Sequence, residues 1–259
     1  MNNIMKALNY QARRDNFTIY VILACVVVIG IFFFTSDIGK LNGSTATVNY
    51  GEYVSLVLMI VPLGITTRIC GWDYADKTMN YEILSGHKRK DIYWSRFFVS
   101  MGWVTVIAYI AMVIPPVVFT VINGWGDNAD LRNIIIRYVL VIFPLFRMVC
   151  ELTLFTFILK NGYFSLLIGF ILMEAISCIS MFLDELEGIK TSFWITFSNL
   201  SGLVTFSNYS LGYVNGEDIY VYESVLEPSF IVGTIVVSLL VGIACLFGGY
   251  FYFKKCDIN

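Results

Sequence analysis

Apolar residues along this chain fall into long blocks separated by polar stretches. A block of about 20 such residues is the length a helix needs to cross a bilayer's hydrocarbon core. Six are predicted as spanning helices: 17–35, 53–69, 97–122, 134–159, 163–183 and 230–253. Pro62 in the second and Pro115-Pro116 near the end of the third are expected to kink or end their helices. Ahead of the first span, residues 1–16 place Ile4, Met5, Leu8 and Ala12 on one helical face and Lys6, Asn9 and Arg13 on another. That predicts an amphipathic helix in the headgroup plane, or else an ordinary charged N-terminus that sets topology.

Two polar intervals have patterns of their own. Residues 70–96 gather nine charges between the second and third spans. Asp73 is a candidate N-cap, and Ala75, Met79 and Ile83 recur at four-residue spacing. Ser85-Gly86 supplies a stop, since glycine accepts the left-handed conformation that ends helices. His87 to Lys90 forms a basic turn, and Asp91 can cap a further helix through Trp94 and Arg96. The interval therefore reads as helix, turn, helix; a plain basic loop with interfacial Trp72 and Trp94 is the alternative. Residues 184–229 are too polar to span and too apolar for an ordinary loop. They predict short extracellular or re-entrant helices, with a broken seventh span as the competing reading.

Composition agrees with a membrane protein. The chain of 259 residues is 58% hydrophobic and 14% charged, against about 25% charged in soluble domains. A net charge of −2 argues against a nucleic-acid partner. The six cysteines have no C-x-x-C spacing, which argues against a disulfide framework or a zinc site. The first apolar run is too long for the core of a cleavable signal peptide.

With both termini in the cytoplasm, twelve of the seventeen basic residues fall on the inner side, and Asp127, Asp130, Glu217, Asp218 and other acids fall outside. This is the asymmetry expected of a plasma-membrane protein with cytoplasmic ends. Within the spans, Arg147 and Glu151 are four apart on one helical face, and Glu174 lies near the middle of the fifth span. Charges at such depth pair with each other or face a cavity. An inward-facing Arg147–Glu151–Glu174 cluster is predicted, either as part of a substrate path or as a packing tie. Full transport by Arg147→Met, with only stability lost, would select the tie.

Several chemistries are excluded by what the sequence lacks. The single histidine, His87, sits among cations and suits neither metal binding nor catalysis. No G-x-x-x-x-G-K-[ST] motif is present; Gly39-Lys40 and Gly188-Ile189-Lys190-Thr191 lack the paired glycine. The chain is thus expected to be no enzyme, with no catalytic residue, metal site or cofactor of its own.

The order of features resembles the permease subunits of ABC-2 type transporters. An amphipathic N-terminal helix, six spans with both ends inside and a structured loop after the second span all fit that family. The local match comprises Asp73, Thr78, Ile83, Leu84, Ser85, Gly86 and Arg89, with Lys77 standing where a glycine is usual. The resemblance implies an all-α single transmembrane domain over 1–259. It also implies a coupling helix that receives motion from a separate ABC ATP-binding subunit, which holds ATP and magnesium. The residues expected to meet that subunit are Asp73, Asp76, Lys77, Thr78, Asn80, Tyr81, Leu84, Ser85, Gly86 and Arg89. A second permease copy or paralogue would complete the path. The substrate would be a peptide antibiotic, drug or lipid-like molecule, as in small bacterial immunity exporters. An energy-independent channel or secondary transporter is the alternative.

Overall fold

The computed structural model describes residues 1–36, 39, 41–75, 78–172, 175, 196–206, 209–214, 217–222 and 225–255. In chain order the elements are α1 (Asn2–Arg14), α2 (Asn16–Thr35), α3 (Gly43–Ala75), α4 (Thr78–Leu84), α5 (Arg89–Asn123), α6 (Leu131–Leu140), α7 (Ile142–Leu159) and α8 (Gly162–Leu172). These are followed by α9 (Thr196–Val204), the strands β1 (Tyr209–Val214) and β2 (Glu217–Tyr222), and α10 (Pro228–Lys255). Five helical segments are long and apolar enough to cross a membrane: α2, α3, α5, α6 with α7, and α10. Of the expected span at 163–183, the helix Gly162–Leu172 is described and is shorter than the others, so five candidate spans stand among the described residues where six were expected.

The prolines do not end their helices. α3 runs on through Pro62, and α5 runs on through Pro115 and Pro116 to Asn123. Proline is tolerated in such helices because neighbouring helices and polar side chains re-satisfy the freed backbone; Pro115 cannot donate to the Ala111 carbonyl, and the Tyr50 hydroxyl of α3 donates to it at 3.1 Å instead. α3 also begins ten residues before the predicted start. Its first turns are small and polar, and Ser44, Ala46, Thr47 and Tyr50 are buried there. Small residues let helices approach closely, so packing stands in for hydropathy. The only break in the fourth span falls at Val141, where Pro144 in the first turn of α7 removes the amide that would reach back to Leu140.

α1 uses its apolar face on protein: Ile4, Leu8 and Ala12 are buried, and Trp103 of α5 donates to Asn9 at 2.9 Å. α3 is the most enclosed spanning helix and α2 the least. The main packing pairs are α3 with α5 and α7 with α10. One end of the bundle collects the start of α2, the end of α3, α4, the start of α5 and the end of α10; it is called the basic end below. At the far end the Gly43 and Ser44 amides donate to Gly124 and Trp125 carbonyls. There β1 and β2 form an antiparallel hairpin with Val214 opposite Glu217, and the Tyr222 amide donates to Asn128. This hairpin is an addition to the helices expected between the last two spans.

Candidate functional site

The basic end is organised around Arg96, whose side chain is fully buried. It sits two turns into α5, donates to the Ile69 carbonyl at 3.0 Å, and pairs with Asp73 in the last turn of α3. Its other nitrogen reaches Glu82 of α4 at 2.8 Å. One guanidinium therefore joins three helices. The short α4 closes against Gly86, whose φ is +89°. The His87 amide donates to Glu82 and the Gly86 amide to Ile83, the two crossed bonds that end a helix with a left-handed glycine. The Ser85 hydroxyl adds a bond to the Glu82 carbonyl at 2.8 Å.

Held this way, α4 turns Met79 inward and leaves Tyr81 70% and Leu84 80% exposed. Tyr81, Glu82, Ser85 and His87 form one wall of a groove of about 390 Å³, with Ile4 and Leu8 of α1 on the other. Two large apolar side chains displayed on a braced seven-residue helix make a surface suited to docking.

Asp73 lies inside α3 and pairs with Arg96, so it does not cap α4. Asp91 sits in the first turn of α5, and Lys88 takes the cap position. Thr78 and Asn80 lie on α4. Asp76 and Lys77 fall outside the described residues. Arg89 donates to the carbonyls of Phe253 and Lys254 at 3.2 and 3.1 Å. It thus places a cation on the free carbonyls at the C-terminus of α10, where the helix dipole favours one.

A second tie reaches the start of α2. Asp15 caps that helix through the Thr18 amide at 3.1 Å and receives a two-pronged ion pair from Arg68 of α3. Burial pushes the Asp15 carboxyl up, but the Arg68 and Thr18 hydrogen bonds and the Arg68 charge outweigh it and hold the group below its ordinary value. The Arg68 guanidinium also lies 3.6 Å from the Trp72 ring centroid, and Trp72 meets Tyr163 of α8 at 4.5 Å.

Within the spans, Arg147 and Glu151 pair at 2.8 Å. Their level follows from α10: Gly242, halfway along that helix, has its open side against Phe146 and the Arg147 backbone. Glu174 lies outside the described residues. Both Glu151 oxygens instead accept from the Thr196 hydroxyl, at 3.0 and 2.9 Å. α9 therefore starts near mid-bundle, and Asn199, one turn on, accepts from Thr234 of α10 at 3.1 Å. Sequence reasoning missed Thr196 and Asn199, and also the roles of Glu82 and Arg96, whose pairing crosses a chain reversal. It missed the hairpin despite a clear signal, since Asn215-Gly216 joins the two strands.

Among the described residues no group of His, Cys, Asp and Glu could hold a metal ion. Cys25, Cys70, Cys150 and Cys245 are free thiols. No protein-family model matches the chain and no curated protein matches its sequence.

Proposed function

We propose that this chain is the membrane-spanning permease subunit of an ATP-driven exporter. A separate ATP-binding subunit, carrying ATP and magnesium, docks on α4 from the cytoplasm, the side on which both termini would then lie. Two permease copies or paralogues enclose the path for a peptide antibiotic, drug or lipid-like substrate. The observation that carries this reading is the braced display of Tyr81 and Leu84. A connecting loop would need neither the Arg96 anchor nor two outward apolar side chains. A docked subunit needs both, because a push on a loose helix would be absorbed before reaching the bundle.

The test is co-purification from the native membrane, with ATPase measurement. An ATP-binding subunit is expected to travel with the chain, and Tyr81→Asp/Leu84→Asp is expected to release it without lowering the melting temperature. No accompanying ATPase, or an unchanged complex in the double variant, overturns the reading. The alternative, an energy-independent secondary transporter, draws on the Arg147–Glu151 pair, since intramembrane ionisable groups mark ion and substrate pathways. Gradient-driven uptake by the isolated chain would select it.

A further inference from the structure

A cavity of about 1060 Å³ lies toward the far end, between α2, α3, α9 and β2. Asn49, Glu52 and Tyr53 stand at i, i+3 and i+4 on α3, so a single helix face supplies its polar wall. Phe32, Phe206 and Tyr222 contribute aromatic surface opposite that face. Phe32 is locked in place, with its ring centroid 4.8 Å from Tyr50, 5.5 Å from Tyr53 and 5.8 Å from Phe119.

The charge pattern identifies the occupant. Glu52 is the only ionisable carboxylate on the wall among the described residues, and no Lys or Arg lines the cavity with it. Among the described residues no ion pair engages its carboxylate, in contrast to Asp15, Asp73, Glu82 and Glu151. Arg137 is not among the lining residues; it donates to the Gly202 carbonyl and lies 4.6 Å from the Phe206 ring centroid. Glu52 is exposed at the cavity wall, and a carboxylate with no countercharge among the described lining residues, sharing its cavity with aromatic rings, is the arrangement that recognises organic cations, through Coulomb attraction and the negative faces of the rings. The size is that of a site for a drug-sized molecule.

We propose that this cavity binds a lipophilic organic cation, with Glu52 as its counter-ion and the half-buried Tyr53 and Tyr222 as its aromatic walls, Tyr53 backed by the buried Phe32. As a binding site it stands on the geometry alone. As the substrate site of an exporter it rests on the function proposed above.

The test uses two ions of matched size and hydrophobicity but opposite charge, tetraphenylphosphonium and tetraphenylborate. Their equilibrium binding is measured on the full chain in nanodiscs of zwitterionic lipid. Tetraphenylphosphonium is expected to bind above the empty-nanodisc background, and tetraphenylborate is not. Glu52→Gln should weaken the cation about tenfold, equivalent to about 1.4 kcal/mol, and Glu52→Asp, which keeps the charge, should retain binding. Equal binding of the two ions, no change in Glu52→Gln, or an equal loss in Glu52→Asp each overturns the site. The two proposals fail separately. If the cation binds through Glu52 but does not alter the ATPase of the co-purified complex, the exporter reading of the cavity fails and the site stands. If an ATPase docks on α4 while Glu52→Gln has no effect on cation binding, the reverse holds.

Discussion

Arg96→Met removes the one cation shared by α3, α4 and α5. It leaves Asp73, 13% exposed, and Glu82, 29% exposed, without the guanidinium that joins them. The Ile69 carbonyl also loses its donor. Breaking a buried pair by deleting one partner costs about 3–5 kcal/mol, chiefly because the remaining charge stays buried. The lower end applies here, since Glu82 keeps partial access to water and the Arg96 Nε has no partner to lose. Glu82→Gln is the control. It retains a hydrogen bond to Arg96 at a partly exposed position, so about 1 kcal/mol is expected. At about 2–4 °C per kcal/mol for a chain of this size, Arg96→Met should melt roughly 6–12 °C below the parent and Glu82→Gln roughly 2–4 °C below it. A fluorogenic thiol dye reads both, because Cys25, Cys70 and Cys150 are buried free thiols that react only on unfolding. Adding Asp73→Asn and Glu82→Gln to Arg96→Met should recover part of the loss by removing the two carboxylate charges that Arg96 joins. If Arg96→Met melts no lower than Glu82→Gln, or the triple variant melts below the single one, Arg96 is not the electrostatic anchor described.

The Asp15–Arg68 tie has a pH signature. Because the folded carboxyl lies below its ordinary value of 3.8, its stabilisation is complete above that value and is lost as pH falls through the folded value. Asp15→Asn, which still caps α2, should therefore melt below the parent at pH 7, by the about 1.5–3 kcal/mol of a charged hydrogen bond, with the gap narrowing below pH 4. A gap independent of pH refutes the assignment. Two glycines test helix contact. A Cβ at Gly71 would sit 2.6 Å from the Gly162 Cα and 2.9 Å from its nitrogen, whereas one at Gly102 meets nothing within 4 Å. Gly71→Ala should cost about 1–3 kcal/mol by overpacking, and Gly102→Ala should gain up to about 1 kcal/mol from helix propensity; equal melting temperatures would contradict the packing.

What the sequence made legible was whatever local spacing encodes. α2 and α10 emerged nearly to the residue because uncharged apolar runs admit one interpretation. The Ser85-Gly86 stop was readable because only a left-handed residue can close α4 there. Arg147 and Glu151 were readable as a pair because four residues is one helical turn. The start of α3 was not, since Ser44, Thr47 and Tyr50 look polar along the chain and become interior only against other helices. Arg96 was passed over for a related reason. Its partners lie 14 and 23 residues back, beyond the reversal at Gly86, and no periodicity reports a contact across a turn. Thr196 belonged to a segment whose hydropathy marked it as neither span nor loop, and its bond to Glu151 exists only because α9 enters the bundle.

These long-range ties share one element. Arg68, Trp72 and Asp73 occupy the last two turns of α3, and through them α3 holds the start of α2, the start of α8, and α4 with α5. At its other end α3 supplies the Asn49–Glu52–Tyr53 face of the cavity, and Gly51 leaves no room for a side chain against the Val204 carbonyl at the end of α9. Between those ends lie 33 residues of unbroken helix, about 50 Å at 1.5 Å per residue. α3 lacks one ladder hydrogen bond at Pro62 but stays helical through it, so under the proposed function a subunit pressing on α4 would move Asp73 through Arg96, and with it Glu52 at the far end. α9 would answer this motion, because it touches α3 at Gly51 while Thr196 fixes its start to Glu151 of α7. Tilting α3 against an α9 held by α7 widens or narrows the cavity between them. Under the proposed function, that makes the Arg147–Glu151–Thr196 cluster the fixed point against which the cavity works, a packing tie that transport nonetheless requires.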